Sequence, residues 1–164
     1  MNDAPGAKRW LPDRERLEEL IPHRFRMCLL DRVVDWDDAG IRCEAVSHRE
    51  PDNPLRTASG LLSVAGIEYA AQAMALHGGL LADRDGTSAS PGYLASARAV
   101  ELHRMRLDDL DGPLVVTAQR EAGDERQILY SFRLAHGDAV VVEGRAAVVL
   151  DALPVAPGVG AARR

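Results

Sequence analysis

The segment that most constrains the fold is residues 61–81. Alanine, leucine, methionine and valine occupy nearly every face of the helix that it predicts, and polar side chains interrupt it at Ser63, Glu68, Tyr69, Gln72 and His77. A helix that is apolar nearly all round is a buried helix. At 1.5 Å per residue its roughly twenty residues span about 30 Å, so other elements must cover it along that whole length.

The rest of the chain supplies mostly strands. Residues 13–20 predict a short amphipathic helix. Two strands precede the long helix and four follow it, at residues 27–34, 41–46, 92–102, 114–120, 127–135 and 139–150. Strands that succeed one another without helices favour an antiparallel sheet. We therefore predict an α+β domain in which this sheet wraps one central helix, while a second subunit covers the remainder.

The overall composition limits the possible partners. The chain has 164 residues, and we expect one domain at 13–152 between a flexible leader (1–12) and a disordered tail (153–164). The formal net charge of -5 argues against nucleic acid, because phosphate binding needs a concentrated positive surface. No apolar run is long enough for membrane insertion. A local arginine patch would still allow an acidic carrier protein to dock.

The two cysteines, Cys28 and Cys43, lie in separate apolar stretches and form no CxxC unit. This arrangement favours buried thiols over a disulfide or a zinc site. The polar start, broken by prolines, does not resemble a signal peptide. We therefore expect a cytoplasmic protein that carries no metal and no cofactor.

Two motifs resemble a known family. Residues 21–33 have the sequence Ile-Pro-His-Arg-Phe-Arg-Met-Cys-Leu-Leu-Asp-Arg-Val, which resembles the N-terminal motif of the hot-dog-fold 3-hydroxyacyl-acyl-carrier-protein dehydratases. Residues 66–72, Gly-Ile-Glu-Tyr-Ala-Ala-Gln, resemble the central helix of that family, in the branch found in aryl-polyene and related pigment gene clusters. The resemblance covers roughly residues 20–150, and it implies a hot-dog fold.

The resemblance also implies a chemistry. The family reversibly removes water from a 3-hydroxyacyl thioester on an acyl carrier protein or coenzyme A, in fatty-acid or polyketide-type biosynthesis. A loop histidine takes the Cα proton and a carboxylic acid on the helix protonates the departing hydroxyl, and the two residues come from opposite subunits of a dimer. The helix N-terminus directs backbone N–H groups at the thioester oxygen, where negative charge develops.

Glu68 corresponds to the helix acid. A carboxyl group within an apolar helix is costly to ionise unless it is paired, which suits a general acid, although an ion pair or an exposed strip would also accommodate it. Gln72 lies one turn further on the same face, where it can orient the carboxyl group or satisfy nearby backbone. Gly66 leaves room either for substrate or for close helix packing. With Asn53, these two residues are our candidates for substrate binding.

The family pattern fails at the loop histidine. The position fifteen residues before Glu68 holds Asn53, whose amide has no basic nitrogen. His48, five residues earlier, is the candidate substitute base, unless it is an ordinary surface or strand-end histidine. We expect His23 to shape the entrance without carrying protons, and His77 to be a core or interface histidine.

Three functions remain open at this point. The chain is an active dehydratase that uses Glu68 with His48, or a catalytically deficient subunit that pairs with an active homologue, or a thioesterase whose helix carboxylate activates water. In the first two, the loop at residues 47–59 faces the Glu68 helix of a second subunit, in a homodimer or a heterodimer.

Overall fold

In the computed structural model, which describes residues 10–150, a six-stranded antiparallel sheet curls around one long helix. The order of the strands across the sheet is β1-β2-β4-β5-β6-β3. This architecture confirms the predicted α+β hot-dog fold. The elements are α1 (Arg14–Leu20), β1 (Arg32–Trp36), β2 (Gly40–Ala45), α2 (Gly66–Arg84), β3 (Gly92–Leu102), β4 (Leu114–Gly123), β5 (Gln127–His136) and β6 (Ala139–Leu150).

The central helix α2 is covered on nearly all sides, as its composition requires. No residue of this helix is exposed before Asp83. The inner faces of β4 and β5 supply much of its cover, through Val116, Ala118, Tyr130, Phe132 and Leu134. The residues that stay half-buried recur every three or four positions, so they form one strip along the helix. We call this the open strip; it comprises Ile67, Ala71, Ala75 and Gly78.

Two boundaries differ from those predicted. The helix begins at Gly66 instead of residue 61, because the preceding backbone pairs with the β3–β4 connection: Leu107 donates to the carbonyl of Leu61 at 2.8 Å, and Ser63 donates to Met105 at 3.0 Å. The first strand begins at Arg32 instead of residue 27. The apolar run before it is buried by packing and hydrogen bonding against α2, which its periodicity alone does not distinguish from strand pairing.

The ends of the predicted domain are only partly described. Residues 1–9 of the predicted leader and the predicted tail lie outside the described residues. Trp10 accepts a hydrogen bond at its carbonyl from Trp36 Nε1 at 3.0 Å, and Pro12 is buried. Both cysteines are buried free thiols, as expected, and burial raises the pKa of Cys43 to about 12. Within residues 10–150, no helix combines the length and apolar character needed to cross a membrane.

Two buried histidines tie distant elements together. His77 of α2 accepts at Nδ1 from the hydroxyl of Tyr130 at 2.9 Å and donates from Nε2 to the carbonyl of Asp37 at 2.7 Å. His48 donates from Nε2 to the carbonyl of Leu110 at 3.1 Å. Both side chains are inaccessible to solvent. Burial lowers the pKa of each imidazole below its ordinary value of 6.5, so the native fold holds both neutral.

We expect the free energy of unfolding to fall as the pH drops below 6.5. The folded-state pKa of both histidines is lowered, so below 6.5 the unfolded chain binds more protons than the native one. The stability that the two neutral imidazoles contribute is fully present above pH 6.5. Below that pH, each imidazole lowers the free energy of unfolding by up to about 1.4 kcal/mol per pH unit. Urea denaturation between pH 7.5 and 5.5 measures the slope. His77→Gln should make it shallower, whereas Gln127→Leu, at an exposed position with no titrating group, should not.

Candidate active site

Glu68 lies in the first turn of α2, next to the open strip, and its side chain keeps 33% of its accessible surface. Its Oε1 is 3.0 Å from Nε2 of His23 and 3.1 Å from Nε2 of Gln72. Among residues 10–150, no side chain or backbone group hydrogen-bonds Oε2. One oxygen of this carboxyl group is therefore held by the protein, while the other is available for chemistry.

Gln72 connects the helix to the segment that follows α1. Its Oε1 accepts from the amide of Leu29 at 2.9 Å, and its Nε2 donates both to the carbonyl of Met27 at 2.7 Å and to Glu68. The side chain is fully buried. The two roles considered from sequence thus occur together, because one amide satisfies backbone groups and also orients the carboxyl group. Its polar atoms are engaged within the protein.

The segment that carries His23 is held by the residue beside it. Arg24 donates from Nη1 to the carbonyl of Glu18 at 2.6 Å and to that of Ile21, at the C-terminal end of α1. Arginine side chains commonly satisfy the unpaired carbonyls at a helix end. The helix α1 itself packs closely on α2, because Gly79 has no side chain where the carbonyl of Leu20 approaches. These contacts bring His23 to Glu68.

His23 is the site residue whose contact with Glu68 cannot be predicted from the sequence. The Pro-His-Arg motif alone predicts a role at the entrance. The motif marks the position as distinctive, but no spacing rule links position 23 to position 68. Their contact depends on how the loop after α1 packs against α2.

Asn53 links the loop at residues 47–59 to α2 through hydrogen bonds. Its Nδ2 donates to the carbonyl of Ser47 at 2.9 Å and to the hydroxyl of Tyr69 at 3.1 Å, and its Oδ1 accepts from the amide of Leu55 at 2.9 Å. The Tyr69 hydroxyl is also 2.8 Å from Oγ of Ser47, and burial raises the pKa of Tyr69. The side-chain amide of Asn53 thus makes these hydrogen bonds to groups of its own chain.

Neither of the other two candidate residues, His48 and Gly66, is paired with the Glu68 carboxyl group within residues 10–150. His48 is 0% exposed, and its Nε2 is engaged by the Leu110 carbonyl. Gly66 is buried against the sheet, where a side-chain carbon would lie 3.1 Å from Leu134 and 3.0 Å from Val142. Within one subunit the structure therefore brings together Glu68 and Gln72, whereas His48, Asn53 and Gly66 occupy other surroundings.

An ion-pair cluster anchors the same loop at its far end. The carboxylate of Asp108 is 2.8 Å from Arg56 and 2.6 Å from Arg106, and only 1% of its side chain is exposed. The hydrogen bond from Arg106 lowers the pKa of Asp108 to about 2. Gly60 adopts φ +93 where Arg106 crosses it, a conformation that favours glycine. The loop with Asn53 is thus fixed at both ends.

Comparison with known proteins identifies the family. The model of the ApeP-like family, described as ApeP dehydratase, matches residues 15–153. The chain belongs to the ApeP-like dehydratase family. The match spans both motifs, the central helix and all six strands. No protein with a curated description matches the chain significantly.

Solved structures share the hot-dog fold. A chain of the dehydratase heterocomplex ApeI:P from Xenorhabdus doucetiae superposes with a TM-score of 0.76 at 23% identity, over 87% of this chain and 93% of that one. A variant of a Pseudomonas aeruginosa thioesterase has a TM-score of 0.55 at 16% identity, over 85% and 94%. A variant of a Staphylococcus aureus thioesterase has 0.54 at 12%, over 73% and 91%. At these identities the structural likeness establishes the fold.

We expect Gln72→Leu to lower the free energy of unfolding by about 1–4 kcal/mol, because it leaves the buried amide of Leu29 and the half-buried carbonyl of Met27 without partners. Urea denaturation at pH 7.5 measures the loss. The matched control is Gln127→Leu at an exposed position, which should change stability by less than about 0.5 kcal/mol. Equal losses of unfolding free energy at the two positions would show that the hydrogen bonds from Gln72 to Leu29 and Met27 are dispensable.

Proposed function

We propose that this chain is the carboxyl-donating subunit of a two-chain 3-hydroxyacyl-thioester dehydratase. The observation that carries the proposal is the contrast between Glu68 and Asn53. Glu68 presents one unbonded oxygen at the start of a buried helix. Asn53 stands where the family has its base, and its amide is committed to the loop. The chain has the acid of the pair, and a partner must supply the base.

The proposed reaction divides the proton transfers between two subunits. A histidine of the partner removes the Cα proton of the 3-hydroxyacyl thioester, and that electron pair forms the Cα–Cβ double bond. The Cβ–O bond breaks as Glu68 gives a proton from Oε2 to the departing hydroxyl, which leaves as water. The histidinium then loses its proton and the Glu68 carboxylate regains one, so the cycle closes without a cofactor. The positive end of the α2 helix dipole favours the negative charge that develops on the thioester oxygen.

Two surfaces support a second subunit of related fold. The open strip leaves one side of α2 only half-buried beside Glu68. The strand β3 lies at the edge of the sheet and pairs with β6 along its other side. Tyr93 and Leu102 are exposed large apolar side chains on this strand. Edge-to-edge pairing of two sheets would satisfy the backbone of β3. The similar ApeI:P assembly is a heterocomplex by its description, so we propose a heterodimer with a related hot-dog subunit.

The alternative in which His48 replaces the missing base has weaker support. Its imidazole is fully buried, and burial lowers its pKa. A base must come within hydrogen-bond reach of the Cα proton, and no face of this imidazole is open to a substrate in the isolated subunit.

We further propose acyl carrier protein or coenzyme A as the thioester carrier. We also propose the cytoplasm as the compartment, because it suits the two free thiols.

We expect dehydration only when this chain is mixed with a hot-dog homologue that retains the loop histidine. The assay follows 3-hydroxyacyl and trans-2-enoyl thioesters of carrier protein and of coenzyme A, with each chain alone and with the mixture. Glu68→Gln should lower the rate of the mixture at least about 100-fold, because the acid is lost. The exposed control Glu125→Gln should not change it. Removal of the partner's loop histidine should have the same effect as Glu68→Gln.

Several outcomes would overturn the proposal. Turnover by the chain alone that survives His48→Ala would show that no partner histidine is needed. Turnover by the chain alone that His48→Ala abolishes would establish His48 as the base. Release of free acid as the main product would identify a thioesterase. Light scattering of the mixture at micromolar concentration should give the mass of a heterocomplex, and two separate monomers would also contradict the proposal.

A further inference from the structure

We infer that His23 is a positioning residue for Glu68, which decides which carboxyl oxygen meets the substrate. The inference rests on the proposed role of Glu68 as the acid. It starts from one contact: Nε2 of His23 is 3.0 Å from Oε1 of Glu68. The partners belong to separate parts of the chain, the loop after α1 and the first turn of α2, so the contact is a tertiary one.

The two nitrogens of the His23 imidazole have different surroundings, which favours a positioning role over a proton relay. Its Nδ1 is buried from solvent and has no hydrogen-bond partner within residues 10–150. A relay histidine needs a group on each ring nitrogen, one that gives the proton and one that receives it. Within the described part of this chain Nδ1 meets no such group, so Glu68 is the side chain with which the imidazole pairs.

Two side chains meet one oxygen of the carboxyl group. Gln72 donates a hydrogen bond to Oε1, and Nε2 of His23 lies 3.0 Å from the same oxygen, within ion-pair distance. Gln72 is itself fixed by the amide of Leu29 and the carbonyl of Met27, and the His23 segment is fixed by the bonds from Arg24 to the end of α1. The carboxyl group is therefore held from two sides, and Oε2 becomes the oxygen that carries the transferable proton. Fixing a reacting group in this way reduces the orientational freedom that it must lose in the transition state.

The charged groups near this pair have other partners. Arg24 is engaged by backbone carbonyls, and Arg26 forms an ion pair with Asp52 at 2.8 Å on the exposed side of the loop. Neither guanidinium forms a hydrogen bond or ion pair with Glu68 among the described contacts. Within residues 10–150, the side chains paired with this carboxyl group are Gln72, by a hydrogen bond, and His23, at ion-pair distance. Replacing His23 thus removes one of two constraints on its orientation.

The kinetic experiment uses the mixed complex and two variants of His23. Glutamine can place an amide N–H near the position of Nε2, whereas leucine cannot. We expect His23→Leu to lower kcat about 10- to 100-fold with KM changed less than about twofold, because a misplaced acid affects the transition state more than binding. His23→Gln should recover kcat to within about fivefold of the natural chain. Gln127→Leu is the exposed control and should leave kcat unchanged.

The kinetic outcomes separate the two hypotheses. If His23→Leu keeps full kcat while Glu68→Gln is inactive, the role of His23 is refuted and the proposed function stands. The role of His23 is also refuted if His23→Leu and His23→Gln lose activity equally, since the hydrogen bond would then be irrelevant. If Glu68→Gln keeps its activity, the proposed function fails and the inference falls with it.

A spectroscopic measurement tests the contact in the full chain without turnover. In 15N-histidine-labelled protein, Nε2 of His23 should give a protonated-nitrogen resonance that moves when Glu68 becomes glutamine and stays in place in the Glu125→Gln control. Thermal unfolding of the leucine variant should match that of the natural chain within a few degrees. An Nε2 resonance that does not respond to Glu68→Gln would overturn the inference.

Discussion

The need to bury an apolar helix on all sides organises this molecule. A sheet covers one side of α2 through the inward residues of β4 and β5. The sheet cannot reach the opposite side, so the segment between α1 and β1 covers part of it. Its apolar run, which includes Leu29 and Leu30, is buried against the helix and not paired as a strand. The sheet and this segment together leave one strip of the helix only half-buried, the open strip, and Glu68 lies beside it.

Each polar side chain inside this helix has a fixed partner, because an unpaired polar group in an apolar core is costly. His77 bonds to Tyr130 and the β1–β2 turn, and Tyr69 bonds to the loop of Asn53. Gln72 bonds to the segment before β1. These residues fasten the surrounding elements to α2 and set their positions. Glu68 differs from them in that only one of its two oxygens is used for this purpose.

The side chain of Asn53 is well matched to the groups that surround it in the loop. An amide offers both donors and an acceptor, so it can satisfy Ser47, Tyr69 and Leu55 at once. A neutral imidazole has one donor and one acceptor and could not make the same set of bonds. Asparagine at this position is therefore a more complete anchor for the loop than histidine would be.

The sequence alone determined the order of the elements, the hot-dog fold, the family and the position of Glu68 within the helix. These properties depend on local periodicity and on short motifs, which are present in the linear chain. It also determined that Asn53 cannot be a base, because that follows from the chemistry of the amide. Only the tertiary structure decided that α2 begins at Gly66 and that His48 is buried. It likewise decided that His23 meets Glu68. Those outcomes depend on contacts between residues far apart in the chain, which no spacing rule within one segment specifies.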